Sequence, residues 1–162
     1  MKSWIYAAAC AVCLVPAAQA QELVYWDEVG GWDVLVDPSL GNGCLIQAEF
    51  TNGVLVRIGF DPDAGGGYLT AFHDNWGDII EGETYDIGFD LDGQEYHGVA
   101  RGMYLDGVPG ADIMFDNPDF LFDIAARQTM TLFNENGEVM SIDLTGTMVA
   151  LDATLDCQEQ QG

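Results

Sequence analysis

The sequence predicts a mainly β domain: an antiparallel β-sandwich of about eight or nine strands, with two short helices and one disulfide. Three observations carry that expectation. Apolar and polar residues alternate with period two over several short runs. Glycine-containing turns join those runs at lengths that keep the apolar faces aligned. Two cysteines, Cys44 and Cys157, remain once an amino-terminal leader is set aside.

The leader comes first in the chain. Lys2 gives a positive start, Trp4 to Pro16 is apolar, and Ala18-Gln19-Ala20 has the small-x-small form of a cleavage site. Together these describe a secretory signal peptide over residues 1–20. The apolar run is too short to span a bilayer, and no later segment reaches the roughly 18 apolar residues of a spanning helix. Lipid attachment at Cys10 or Cys13 is the competing reading, in a poor sequence context at both positions. The expected mature chain is 21–162, a single β-sandwich domain in the periplasm or secreted, ending in a short polar tail at 158–162. In an exported chain Cys44 and Cys157 read as one disulfide closing a 113-residue loop, with two free buried thiols as the alternative.

The strands follow in order. A strand is expected at Trp32–Val36. Cys44, Ile46, Ala48 and Phe50 then form one face against Leu45, Gln47 and Glu49, as do Val54, Val56, Ile58 and Phe60 against Leu55, Arg57 and Gly59. A two-residue turn between these runs would join an inward to an outward residue. A three-residue Thr51-Asn52-Gly53 loop with Gly53 left-handed pairs Ile46 with Ile58 and Ala48 with Val56, so a G1-bulge hairpin is predicted. Tyr68–His73 is the next expected strand. Tyr85, Ile87, Phe89 and Leu91 alternate up to Asp92-Gly93, where a two-residue turn matches Phe89 to Tyr96. Ala111–Phe115 is a further strand. Asn117-Pro118-Asp119 supplies a cap, a first-turn proline and an acid, predicting a helix over 118–127. Met130 and Leu132 match Ile142 and Met140 across a three-residue Glu135-Asn136-Gly137 loop. Thr147 is a candidate cap for a second helix, with Met148, Leu151 and Leu155 on its apolar face and Cys157 at its end.

Composition limits function. The whole chain carries 27 acidic and four basic side chains, a formal charge of −23. Without the leader, the 27 acids face only Arg57, Arg101 and Arg127, for −24 and no lysine. Such a chain repels phosphate backbones, which excludes nucleic acid and anionic membranes. It suits a cation or a basic partner, whose encounter an acidic surface accelerates.

The catalytic inventory is thin. Mature serines are Ser39 and Ser141, and histidines are His73 and His97. No nucleophile elbow, zinc-protease motif or phosphate loop occurs. Carboxylates remain. The Asp92-Gly93 hairpin places Asp90 opposite Glu95, a like-charge pair readable as solvated surface, a cation contact or an acid/base pair for glycoside hydrolysis. Asp61 and Asp63 beside Gly65-Gly66-Gly67, and Asp90-x-Asp92-Gly93, invite a calcium reading. Neither fits an EF-hand loop, so no cofactor is expected beyond adventitious calcium. Trp26 and Trp76 adjoin turns and are the candidate ligand-facing aromatics.

Four stretches resemble a known family: Gly31-Trp32-Asp33-Val34, Gly43-Cys44-Leu45-Ile46-Gln47, Phe120-Leu121, and Ile142-Asp143-Leu144-Thr145-Gly146-Thr147 running into Ala150-Leu151. They resemble the invasion-associated locus B group of small exported periplasmic proteins. They cover both ends of the mature chain and not its middle. A cysteine soon after the first Trp strand is absent, and Thr147 stands where that group has an aromatic. The resemblance implies a β-sandwich without established catalysis, and no functional residue carries over.

The expected function is an exported, non-catalytic binding or envelope-associated protein for an unknown protein or small ligand. The alternatives are an acidic inhibitor or partner of a basic protein, such as a lysozyme-like enzyme, and a carboxylate-dependent glycoside hydrolase. A further reading is that the charge is an adaptation to a salty habitat.

Overall fold

The computed structural model describes residues 22–161, so the expected leader, with Cys10 and Cys13, lies outside the described residues. The chain runs β1 (Val24–Val29), β2 (Trp32–Asp37), β3 (Gly43–Glu49), β4 (Leu55–Asp61) and β5 (Gly66–Phe72). It continues through β6 (Thr84–Leu91), β7 (Gln94–Leu105), β8 (Val108–Phe115), α1 (Phe120–Ala125), β9 (Thr129–Asn134), β10 (Gly137–Asp143) and α2 (Thr147–Gln161). All ten strands form one antiparallel sheet in the order β1-β2-β3-β4-β5-β8-β7-β6-β9-β10. The 73–83 segment carries the chain past the places of β8 and β7 to start β6, and α1 carries it back to β9. Val34, Ile46 and Ile58 share one core with Phe89, Leu132 and Ile142. The halves of the sheet therefore enclose a common interior, a sandwich-like arrangement.

Turn chemistry sets this meander. Gly30-Gly31, Asp92-Gly93 and Asp106-Gly107 all have positive φ at both residues, the signature of type I′ hairpins. Their strands register as Val29↔Trp32, Leu91↔Gln94 and Leu105↔Val108. The β3–β4 hairpin has the expected three-residue loop: Phe50 N–H donates to Val54 O at 2.9 Å, and Gly53 N–H to Phe50 O at 2.8 Å. Ile46↔Ile58 and Ala48↔Val56 pair as predicted. At β9–β10 the pairs Leu132↔Met140 and Met130↔Ile142 hold, but the turn is the two-residue Glu135-Asn136, and the extra residue sits in a bulge at Val139.

There are ten strands where eight or nine were expected. The added pairing comes from β1, which is mostly exposed and so shows little apolar alternation. β1 and β10 are the sheet edges. Each has a register shift, at Trp26 and Val139, that spoils the edge for further pairing.

The helices differ in extent from the sequence expectation. α1 is shorter than 118–127 because Pro118 and Asp119 form the preceding turn, with Asn117 Oδ1 accepting Asp119 N–H at 3.1 Å. Its Leu121 and Ile124 are fully buried, worth about 1.5–3 kcal/mol each. Thr147 is not a side-chain cap. It is the first residue of α2, and its buried hydroxyl has no partner. The buried face of α2 is Thr147, Ala150, Leu151, Thr154 and Cys157, whereas Leu155 is 43% exposed. That face is set by the Cys44–Cys157 disulfide and by packing on β2 and β3, where small residues allow close approach. The polar tail expected at 158–162 is helical as far as Gln161. Gln158 Oε1 accepts Cys44 N–H at 2.9 Å.

Candidate functional site

The crossover from β5 to β6 spans 11 residues, 73–83, and hydrogen bonds tie it to β6, β7 and the β3–β4 turn. His73 is extended and caps a 3-10 turn at Asp74–Trp76. Its Nδ1 accepts Asn75 N–H at 3.1 Å, and its Nε2 lies 2.9 Å from Asn52 O, so the Nε2–H tautomer serves both bonds. Further along, Ile80 N–H donates to Tyr85 Oη at 2.9 Å, and Tyr104 Oη–H donates to Ile79 O. Gly82 N–H to Gly102 O and Gly102 N–H to Glu83 O, each 2.8 Å, tie the loop to β7. Gly102 is required here, because a Cβ would lie 2.5 Å from Ile80 O.

Under this loop lies a cleft of about 880 Å³. Ile87, Ala100, Ala111 and Leu132 give it an apolar floor; His73, Trp76 and Tyr85 form an aromatic side. The His73 and Trp76 rings are 6.3 Å apart. Asp78, Asp86, Glu135 and Glu138 are among its lining residues, with no arginine or lysine. A size of roughly 300–1,000 Å³, apolar lining and a few placed polar groups are the properties of small-ligand sites.

Two other features are notable. A cavity of about 390 Å³ lies against Phe89, Tyr96, Phe115 and Phe120. These rings pack on one another at 5.2–6.1 Å, so this cavity adjoins an aromatic cluster that anchors α1. On the outer sheet face, Gln47, Arg57, Thr70, Asp112 and Arg101 occupy one row of registered positions. Arg57 Nε–H donates to Gln47 Oε1 at 2.8 Å, and the guanidinium lies over the Phe72 ring. Burial raises the Asp112 carboxyl above the usual carboxylate range, against the opposing pull of Arg101. Tyr68, buried on the same face over Gly59, also has its phenol raised by burial.

The sequence-derived candidates disperse. Asp90 and Glu95 are directly opposite, as expected, but line neither cavity. Asp90 Oδ1 accepts Gly93 N–H at 2.9 Å and so shapes the turn. The Asp92 carboxylate accepts Thr129 N–H at 2.9 Å and Gln128 N–H at 3.0 Å, joining this turn to the start of β9. Asp61 Oδ1 accepts the N–H groups of Asp63 and Ala64, closing its own loop. Asp63 lies against Gly41. Among the described residues, no three His, Cys, Asp or Glu side chains converge as a metal-ion set. Trp26 is the bulge residue of β1, half-buried against the core, whereas Trp76 lines the cleft. Ser141 Oγ is 3.0 Å from Thr131 Oγ1. Of the cleft residues, sequence reasoning singled out Trp76. It missed the acids, because the crossover and the β9–β10 hairpin that supply them are far apart in the chain. The usable signal was the 11-residue connection, longer than a hairpin needs.

No protein-family model and no curated protein matches the chain. Among solved structures, it is similar to the crystal structure of invasion associated protein B from Bartonella henselae, with a TM-score of 0.57 and 12% identity. The match covers 82% of this chain and 97% of that one. At this identity the likeness is one of fold, and it agrees with the resemblance at the two ends of the chain. No described helix is long and apolar enough to cross a membrane.

Proposed function

We propose that this chain is an exported, non-catalytic binding protein of the cell envelope, and that its ligand occupies the cleft beneath the 73–83 crossover. The observation that carries the reading is the cleft itself: apolar and aromatic residues beside a loop bonded to Tyr85 and Tyr104. A disulfide between distant segments supports an oxidising compartment. The name of the structural neighbour, an invasion associated protein, supports an envelope setting. The bonding of His73 supports the non-catalytic part. Both its ring nitrogens serve the loop backbone, which leaves the cleft without a free imidazole base.

The test is a screen of sugars, amino acids, short peptides and amines by amide NMR of the disulfide-bonded protein. Saturable shifts confined to Thr84–Ile87, Trp76 and Asn134–Val139 are expected for one class. Shifts mapping elsewhere for every binder, or none for any class, would overturn the cleft. Release of reducing ends from a glycan panel would overturn the non-catalytic part.

A further inference from the structure

Granting that the cleft is the binding site, we infer that its ligand is a small organic cation: an ammonium or guanidinium group on an apolar body. Beside Asp86, whose position in β6 alternates outward, three acidic residues line the cleft: Asp78 from the crossover, Glu135 in the β9–β10 turn and Glu138 at the start of β10. They carry no local counter-charge. Arg57 is on the outer face, held by Gln47 and Phe72. Arg127 reaches Gln94, 3.4 Å away, at the other end of β6. Arg101 is nearer, since it registers with Thr84 at the cleft edge. Successive residues of a strand point to opposite faces, and the inward positions here are Tyr85, Ile87 and Ala100, so Arg101 is directed to the outer face with its register partner Asp112, as is Asp86.

Carboxylates alone would not select an organic ligand; the rest of the cleft does. A metal ion needs several oxygen ligands converging at about 2.0–2.6 Å. Here the acids are spread over two segments, the crossover and the β9–β10 hairpin, and the described residues hold no converging set of three. The floor of Ile87, Ala100, Ala111 and Leu132 offers such an ion nothing. An amphiphilic cation uses both parts: its apolar body covers the floor, and its charge meets the carboxylates and the Trp76 ring, an aromatic partner for cations. A volume of about 880 Å³ accommodates a body of that kind.

Three probes of one shape separate the contributions: 2-phenylethylammonium, 2-phenylethanol and phenylacetate, titrated against the intact oxidised protein by amide NMR. The ammonium is expected to bind about 10-fold or more tighter than the alcohol at low salt, with phenylacetate weakest. Raising salt to about 0.3 M should narrow that preference. The Glu135→Gln/Glu138→Gln double variant should lose the preference while still binding the alcohol, and Glu159→Gln on α2 should change nothing. Equal affinity of ammonium and alcohol would overturn the charge inference and leave the cleft reading standing. Ammonium shifts that map outside the cleft, or no shift with any probe, would also overturn it; the cleft reading is then judged by the wider screen above.

Discussion

Gly30 and Gly146 meet backbone to backbone where the first hairpin passes the start of α2. Both have positive φ, +65° and +83°. A Cβ on Gly30 would lie 2.7 Å from Gly146 O, and one on Gly146 would press into the Gly30 carbonyl. The contact seats α2 on β1 and β2, and with it the helix that carries Cys157.

Gly146→Ala should therefore cost about 3 kcal/mol or more, the sum of a left-handed penalty and a backbone clash. Gly31→Ala is the control, since Gly31 has φ +86° but open space around its would-be Cβ. It should cost only the conformational part, about 1–2 kcal/mol. Urea unfolding of both variants measures the difference, and equal losses would show that the contact contributes nothing.

Much of this fold was legible because local signals agreed. Ile46, Ile58, Phe89 and Tyr96 pair as their alternation and turns require, and Cys44 meets Cys157. The faint places have physical causes. The first strand is an exposed edge, so it lacks the pattern that burial imposes. Gly30-Gly31 and Asp106-Gly107 were turn signals in plain view, but the strands around them alternate weakly. The α2 face was offset because Thr147, Ala150 and Thr154 are small or polar, and a close helix–sheet contact buries them in preference to Leu155. Beyond Trp76 the cleft was not legible, since Asp78 and Glu138 come to line one cleft only through the crossover, a tertiary event.

Loss of the disulfide should be costly and localised. The bond closes a 113-residue loop, for which chain entropy gives about 4–5 kcal/mol. Cys44→Ala/Cys157→Ala should lower the denaturation midpoint by the corresponding amount. Because Gln158 also bonds Cys44 N–H, amide exchange should accelerate first over 154–161 and at the start of β3. Uniform acceleration across all ten strands would contradict that order.

Asp112 makes stability depend on pH in a definite direction. Burial raises its folded pKa above the unfolded value, near 3.8, against the attraction of Arg101. The group thus disfavours folding at pH values above its folded pKa. That penalty fades as pH falls through the folded pKa, and it is absent below about 3.8. Asp112→Asn should be more stable than the parent at pH 7.5, with the gap closing toward pH 3.5. A constant gap would show that the Arg101 attraction balances burial, and a gap that grows on acidification would show that it outweighs burial.

His73 links loop order to the cleft. Its ring accepts Asn75 N–H, donates to Asn52 O and packs beside Trp76, so it holds the crossover to the β3–β4 turn. His73→Ala removes both bonds and should cost about 1–3 kcal/mol. Asn is a good capping residue, and its shorter side chain can restore the bond to Asn75 N–H without reaching Asn52. His73→Asn should therefore recover part of the stability while leaving Trp76 more mobile. Stability comes from urea unfolding; Trp76 order comes from relaxation of its indole N–H and from affinity for the ammonium probe. If His73→Ala lost cleft affinity with no change in stability or in Trp76 order, His73 would be a ligand contact and not the fastening of the loop.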